Sequence, residues 1–447
     1  MGGKKMMILA VLLPTVIGYL IVCAVYKQSI SFIEKVALGF LIGTSFMTLQ
    51  MFVYSLVGIK FGMLWISLPW FLLLPLIIFA DRKISFSFNG WKQIELLLLL
   101  LVSMKVIYVF FEALIKPVFG YDAIWNFSLR AKIFFFEKMI PFVKLNPYFL
   151  GDGMKNYPPH LPLLEAWTYI TMNTWDDVKM KIIFPLYFCS LLIIFYKALL
   201  REKNRAHSLF FTFLLSSFPL LTYHATIEYA DFIVGTYFLG AVIYLYEFFK
   251  EGKTKHLFIS ALLAASCGWI KEEGLVFYFI CFFVFFAYNK FKNLKNLGIY
   301  LIPFFVFIFP WTLTKKVLGL ELGNTHETIF KFEKLFNFHQ EAIWKIAYKT
   351  FLTDNWHLFP ITMIVFLVFY YRNVIATKKR YILACFVLAW LFFIYLYLFT
   401  YNWENIMNDI ILSRNYLTYF PIGLFLMALT FSFSSFAPKN RTEKYAK

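Results

Sequence analysis

The amino-acid sequence predicts an all-α polytopic membrane protein, and two observations lead to that fold class. Hydrophobic residues make up 61% of the 447 positions, whereas charged residues make up 15%. Apolar stretches of about twenty residues, long enough for one helical span, recur from one end of the chain to the other. A soluble protein with a very apolar core would not repeat such stretches. We therefore expect the chain to lie in a lipid bilayer.

Length and hydropathy together predict about thirteen transmembrane helices. Their approximate bounds are 6–26, 33–57, 61–80, 94–115, 180–200, 207–225, 231–249, 256–270, 274–289, 297–314, 350–371, 381–400 and 416–436. The first span follows Lys4 and Lys5 as a signal peptide would, but it has no clear small-residue cleavage site and is interpreted as a retained helix. The five cysteines all fall inside predicted spans and are interpreted as small core residues.

The basic residues predict the orientation of these spans. The clusters between spans are Arg82/Lys83/Lys92, Lys197/Arg201/Lys203/Arg205, Lys250/Lys253/Lys255, Lys290/Lys292/Lys295, Arg372/Lys378/Lys379/Arg380 and the tail Lys439/Arg441/Lys444/Lys447. All of them fall on one side, which the positive-inside rule makes cytoplasmic, and only Lys4 and Lys5 disagree. The formal net charge of +18 therefore indicates membrane topology and anionic lipid rather than nucleic acid.

The opposite side receives the segments that are rich in acids, histidines and tryptophans. These segments are 116–179, 224–231, 271–274, 315–349 and 401–415. The first is long enough to contain two helices along the membrane surface. One is expected over 123–138, where Phe127 and Ala131 share an apolar face, and the other over 161–172.

Asp122 stands directly before the first of these helices and is the main candidate for a reactive group. A carboxylate at an apolar surface can accept a proton from a hydroxyl or an amine, because partial desolvation raises its basicity. Asp is also a favoured N-cap residue, which suits the helix dipole. The residues alone do not decide between these two interpretations.

His224, Glu228 and Asp231 form a second candidate group. If the segment is helical, their spacing places them on one face. There they could bind a divalent cation or the hydroxyls of a sugar, and a solvated helix end is the alternative.

Two cations are candidates for binding a lipid-linked phosphate. Lys271 stands between two predicted spans, beside Glu272 and Glu273, either of which could orient it. A tight turn closed by Gly274 is the alternative. Arg414 opens the last span and could bind a phosphate oxygen bidentately, or serve as an interfacial anchor.

The segment 315–349 is expected to be a mobile lid over a cavity. It follows Trp311 and contains His326, Glu327, His339 and Trp344. His326 and His339 indicate a metal site only weakly, and they are better interpreted as solvated residues of a loop.

Together these segments resemble the GT-C superfamily of integral-membrane glycosyltransferases, in particular bacterial proteins similar to protein mannosyltransferases, aminoarabinose transferases and rhizobial lipopolysaccharide sugar transferases. The matching segments are Tyr121-Asp122-Ala123-Ile124-Trp125 with Leu129-Arg130-Ala131-Lys132, Tyr157-Pro158-Pro159 with Pro162-Leu163-Leu164, Glu228-Tyr229-Ala230-Asp231, and Lys271-Glu272-Glu273-Gly274. In the family the acid usually follows the first span, whereas Asp122 follows the fourth. Residues 1–90 are therefore expected to be additional amino-terminal helices, before a catalytic core over 91–436 and a basic cytoplasmic tail over 437–447.

The resemblance implies an inverting transfer of a sugar from a polyprenyl-phosphate-linked donor to a lipid, glycan or protein acceptor of the cell envelope. Asp122 is the implied general base, and Lys271 and Arg414 are implied to bind the donor phosphate. The residues implied to bind the sugar or the acceptor are Trp125, Arg130, Tyr157, His160, Glu228, Asp231, Glu272 and Glu273. The resemblance implies no required cofactor. The residues leave open whether a divalent cation binds at His224, Glu228 and Asp231.

The resemblance further implies a multi-pass protein of the bacterial cytoplasmic membrane whose active site faces outside. A transporter or flippase for lipid-linked saccharides is the alternative. Transporters are expected to hold their ionisable groups at mid-bilayer in broken helices. Here those groups are predicted at one surface, which favours an enzyme, and a noncatalytic scaffold would have no reason to concentrate them there.

Overall fold

The computed structural model describes residues 2–80, 90–290, 293–320, 337–353, 355–356 and 358–431, with the backbone alone for 2–6 and 353. Helices account for 80% of the structure, and the described residues contain no β-strand. The predicted all-α class is therefore confirmed.

The α-helices of the described residues are numbered α1 to α19 along the chain. They span Gly2–Tyr26, Phe32–Leu56, Met63–Ser67, Gln93–Ile115, Leu129–Glu137, His160–Met172, Ile183–Leu200, Arg205–Ser217, Pro219–His224, Ala230–Glu251, Thr254–Ile270, Glu273–Asn289, Leu294–Pro303, Phe309–Leu318, Glu341–Tyr348, Phe359–Ala376, Arg380–Phe399, Asn402–Met407 and Leu412–Thr430. Short 3-10 helices cover Leu68–Phe79, Phe149–Gly151 and Lys179–Ile182, and π-helical turns cover Ala123–Ser128, Phe304–Ile308 and Lys349–Thr353.

Eight helical stretches in the described chain are long and apolar enough to cross a membrane, which makes this a multi-pass membrane protein. They are Met7–Tyr26, Phe32–Leu56, Gln93–Ile115, Lys179–Leu200, Ala230–Glu251, Leu294–Leu318, Phe359–Ala376 and Arg380–Phe399. The expected number of about thirteen is wrong, because several predicted spans are shorter helices. The predicted span 207–225 is divided at Phe218, whose extended backbone precedes Pro219. Helices α11 and α12 have 17 residues each.

Helix α10 lies at the centre of the fold. Its apolar part is 100% buried, and it packs against α7, α11 and α19. A helix that is apolar on every face is expected where other helices surround it. This central position matters for function because α10 begins with Asp231 in its first turn.

Helices α1 and α2 approach each other closely through glycines. A Cβ atom on Gly43 would lie 1.7 Å from the carbonyl oxygen of Pro14, so only glycine permits this contact. Helix α2 also reaches the core of the bundle, where the Thr48 hydroxyl lies 2.8 Å from Nδ1 of His160. Helix α2 therefore packs directly against α6 in the core of the bundle.

The bundle has two charged ends, which we call the Asp231 end and the Arg201 end. At the Arg201 end, the guanidinium of Arg201 pairs with Glu34 and Glu247. Predicted basic clusters meet there as well, since Lys203 Nζ donates to Phe431 O at 2.7 Å and Lys379 Nζ to Leu429 O at 3.0 Å. The predicted basic residues Arg82, Lys83, Lys292, Lys439, Arg441, Lys444 and Lys447 lie outside the described residues.

Candidate functional site

A cavity of about 290 Å³ lies at the Asp231 end of the bundle. The predicted site residues that line it are Asp122, Tyr157, Asp231, Lys271, Glu272, Glu273 and Arg414. These residues come from separate parts of the chain, and the most distant contact between them joins residues 292 positions apart. The sequence predicted that they share one side of the protein, and the fold brings them into one cavity.

Asp122 is held at the start of an unusual turn. The π-helical turn Ala123–Ser128 follows it directly, and the Asp122 side chain makes no capping hydrogen bond to that turn. The carboxylate is 27% exposed, and Asn126 Nδ2 donates to its Oδ1 at 3.2 Å. The Asp122 side chain therefore does not act as an N-cap, and its carboxylate lines the cavity.

Arg414 bridges two aspartates across the cavity. Its NH1 donates to Asp122 Oδ2 at 2.7 Å, and its NH2 donates to Asp231 Oδ2 at 2.9 Å. The guanidinium also stacks over Tyr229, with 4.6 Å to the ring centroid. Its buried Nε has no hydrogen-bond partner among the described residues. Arg414 thus fixes the distance between the two carboxylates and keeps one donor free.

Lys271 supplies the second cation of the cavity. Its Nζ lies 2.8 Å from Asp231 Oδ1 and 3.1 Å from Glu273 Oε1. Burial opposes the charged form, but the two carboxylates dominate and hold the pKa of Lys271 above its ordinary value. The ammonium therefore stays charged, and Asp231 and Glu273 together orient it.

Glu272 pairs with a lysine that the sequence reasoning did not single out. Lys315 Nζ on α14 lies 2.7 Å from Glu272 Oε1, and its side chain is 9% exposed. Burial raises the pKa of the Glu272 carboxyl, and the nearby Lys315 lowers it in part. The cavity therefore contains three cations, Lys271, Lys315 and Arg414, among its charged lining residues.

The wall of the cavity changes from charged to apolar. Leu275, Val276, Ile308, Phe392 and Leu396 line it beside the charged groups. Leu275 and Val276 lie one turn into α12, whereas Phe392 and Leu396 lie before the carboxyl end of α17. The apolar wall therefore extends from the Asp231 end toward the interior of the bundle.

Four residues predicted to bind sugar or acceptor lie away from this cavity: Trp125, Arg130, His160 and, as described below, Glu228. Trp125 is on the surface and 45% exposed. Arg130 is fully buried and joins two loops, since its Nε and NH1 donate to the carbonyl oxygens of Leu150 and Tyr157 at 3.2 and 3.1 Å. Burial lowers the pKa of His160 to about 3, so its contacts in the core are those of a neutral imidazole.

The expected common face of His224, Glu228 and Asp231 does not form. Helix α9 ends at His224 and α10 begins at Ala230, and the extended backbone of Tyr229 separates them. Asp231 consequently points into the cavity, whereas Glu228 pairs with Lys181 behind it. No group of three or more His, Cys, Asp or Glu side chains suited to a metal ion occurs among the described residues.

The predicted lid segment 315–349 is helical at both of its ends. Helix α14 continues to Leu318 and α15 begins at Glu341. Near α15, the His339 ring stacks on Trp403 with 4.8 Å between centroids, and Trp344 is 72% exposed. Residues 321–336, with His326 and Glu327, lie outside the described residues.

Sequence reasoning also missed Asn126, which is 4% exposed. Its only signal was the spacing of four residues from Asp122, which places two side chains on one helical face. Lys315 was missed because the helix was predicted to end before it. The chain significantly matches no protein-family model, no curated protein and no solved structure.

Proposed function

We propose that this protein is a membrane glycosyltransferase that moves a sugar from a polyprenyl-phosphate-linked donor to a lipid, glycan or protein acceptor. The proposal includes a GT-C-like fold, the bacterial cytoplasmic membrane and an active site that faces outside. The observation that carries it is one cavity in which a reachable carboxylate, three cations and an apolar wall meet. This combination suits a ligand with an anionic head, a polar sugar and a long apolar tail.

Asp122 would act as the general base. Its carboxylate accepts the proton of the acceptor hydroxyl or amine while the acceptor atom forms a bond to the anomeric carbon. The bond between that carbon and the phosphate oxygen breaks on the opposite face of the sugar. The lipid phosphate leaves with the electron pair, so the anomeric configuration inverts.

The cations would stabilise the departing phosphate. Lys271 and Arg414 already share Asp231 as a partner, and Lys315 lines the same cavity on the helix face of Trp311. Fixed charges in a partly dry cavity stabilise a developing negative charge more strongly than charges in water. The apolar wall would receive the first isoprene units of the donor.

The test uses the purified full chain in lipid nanodiscs. Polyprenyl phosphates that carry a tritiated hexose or pentose are supplied with cell-envelope extract, and transfer of the label to the acceptor fraction is measured. Asp122→Asn should lower transfer by about 10²- to 10⁴-fold, because it removes the base without changing the volume of the side chain. Undiminished transfer by Asp122→Asn would exclude Asp122 as the base.

Glu247→Gln is the matched control. Glu247 also contacts an arginine, at 3.4 Å from Arg201, but it lies at the Arg201 end. This variant should transfer the sugar at the wild-type rate. Movement of the labelled lipid across the bilayer without transfer would instead identify a transporter.

The proposed orientation has its own test. Tyr121 is 77% exposed at the Asp231 end, and Lys253 has a side chain that is 59% exposed near the Arg201 end. Single cysteines at these positions should react with a membrane-impermeant thiol reagent from outside and from the cytoplasm, respectively. Labelling of both from the cytoplasm contradicts the proposed orientation.

A further inference from the structure

Directly behind the cavity, two fully buried side chains of opposite charge form an ion pair. Lys181 Nζ lies 3.4 Å from Glu228 Oε1, and both side chains are 0% exposed. Lys181 belongs to the 3-10 helix Lys179–Ile182, and Glu228 lies between α9 and α10. Neither residue lines the cavity, so any effect on a ligand there must pass through other groups.

Stability does not explain this pair. No donor meets full hydrogen-bond geometry with either carboxylate oxygen of Glu228 among the described residues, although the backbone N–H groups of Phe119 and of Glu228 itself lower its pKa in part. Removing two charges from water is costly, and an ion pair that leaves hydrogen-bonding capacity unused does not recover that cost. Apolar side chains of similar volume would stabilise this part of the bundle at least as well. The pair is better explained by the backbone that it holds in place.

The lysine contacts the segment that leads to Asp122. Lys181 Nζ donates to the carbonyl oxygen of Pro117 at 3.3 Å and lies 5.4 Å from the centroid of the Phe119 ring. Gly120 follows with a φ of 96°, and a Cβ there would lie 2.8 Å from the Tyr229 hydroxyl. The backbone of 117–120 is therefore enclosed between Lys181 on one side and Tyr229 on the other.

The glutamate contacts the cavity through its own chain neighbours. Tyr229, the next residue, stacks against Arg414 at 4.6 Å. Asp231, three positions after Glu228, accepts hydrogen bonds from both Lys271 and Arg414. Two connections therefore join the segment of Asp122 to the segment of Asp231. Within the cavity, Arg414 contacts both aspartates. Behind the cavity, Lys181 contacts both Pro117 and Glu228.

We infer that the Lys181–Glu228 ion pair is a positioning device that holds the 117–120 backbone, and with it Asp122, at a fixed distance from Arg414 and Asp231. This inference rests on the proposed function for its effect on transfer, but its structural part stands on the contacts alone. Small displacements of a general base are enough to lower turnover strongly.

The test compares Lys181→Met, Glu228→Gln and the double variant in the purified full chain. Lys181→Met leaves the buried Glu228 carboxyl without its cation and should lower the midpoint of thermal unfolding. Glu228→Gln replaces a carboxyl whose pKa burial raises, so it should change the midpoint little at neutral pH. The double variant removes both charges at nearly constant volume and should restore that midpoint. Hydrogen–deuterium exchange of the peptide covering 117–124 should stay about tenfold faster than wild type in the double variant, because the contact to Pro117 is still missing.

Turnover provides the second measurement. In the double variant we expect kcat to be about 10- to 100-fold below wild type, with an unchanged KM for the polyprenyl-phosphate sugar, because positioning affects the transition state more than binding. A double variant that regains wild-type stability, exchange and kcat would show that the pair is only structural and overturn the inference. Glu247→Gln again serves as the control, since it alters an ion pair of the same 3.4 Å length at the other end.

The two hypotheses fail in different ways. If no polyprenyl-phosphate sugar is ever transferred, the proposed function fails, and the exchange measurement still decides whether the pair holds the 117–120 backbone. If wild type transfers sugar and the double variant shows wild-type exchange, the positioning inference fails while the proposed function stands.

Discussion

The two ends of the bundle contain the same arrangement of side chains with different access. At the Asp231 end, Arg414 bridges Asp122 and Asp231 and stacks over a tyrosine at 4.6 Å. At the Arg201 end, Arg201 bridges Glu34 and Glu247 and lies over a tyrosine at 5.7 Å. An arginine with two carboxylates is therefore not in itself a mark of a functional site.

Access to the carboxylates separates the two ends. Glu34 and Glu247 have side chains that are 4% and 2% exposed, and the Tyr244 hydroxyl donates to Glu34 at 2.6 Å. Asp122 is 27% exposed and lines a cavity. The first arrangement ties helices together, whereas the second leaves an oxygen that a ligand can reach.

The two ends can be compared by replacing each bridging arginine by lysine. The largest effect on sugar transfer is expected at Arg414. Arg414→Lys keeps the charge but cannot contact both aspartates in parallel. We expect transfer of a polyprenyl-phosphate sugar to fall by about 100-fold, because Asp122 and Asp231 lose their common partner. Initial rates in nanodiscs measure this effect.

Arg201→Lys is the matched variant at the other end. It should lower the midpoint of thermal unfolding about as much as Arg414→Lys does and leave transfer within about twofold of wild type. Equal losses of transfer in both variants would mean that the two clusters do not differ in function.

A smaller effect concerns pH. Burial raises the pKa of Glu228 from 4.5 to about 8, although Lys181 lowers it in part. Because the folded pKa is raised, the protonated carboxyl stabilises the fold fully below pH 4.5, and that contribution is lost as pH rises through about 8. Glu165 and Asp177 also face this group and add repulsion. Thermal unfolding between pH 5 and 9 measures the loss.

Glu228→Gln removes the titrating group and gives the control. We expect the wild type to lose on the order of 1 to 4 kcal/mol relative to this variant between pH 5 and 9. Parallel pH profiles for the two proteins would contradict a raised pKa at Glu228.

Hydropathy predicted the architecture better than it predicted local geometry. The all-α class followed from the apolar stretches, and the helices near 123–138 and 161–172 were found close to their predicted places, as α5 with its π-helical turn and as α6. The number of spans was wrong because Pro219 and several polar helix ends shorten apolar stretches that hydropathy alone joins together.

Part of the cavity lining could be predicted as a set of residues, but not its arrangement. Topology alone placed Asp122, Asp231, Lys271 and Arg414 on one side, and the contacts between them depend on helix packing over distances of up to 292 positions. The role of Glu228 was not predictable for a related reason. A helical spacing assigned it to the face of Asp231, but the chain is extended at Tyr229 and turns Glu228 away from the cavity.

The smallest effect is expected at Lys315, the third cation that lines the cavity. Lys315→Met keeps the length of the side chain and removes its charge, so the pair with Glu272 at 2.7 Å is lost. If Lys315 contacts the donor phosphate before and during transfer alike, KM for the donor should rise about three- to tenfold with little change in kcat. Lys345→Met, which breaks a pair with Asp409 outside the cavity, should change neither value. A fall in kcat at constant KM would instead place Lys315 among the groups that act only in the transition state.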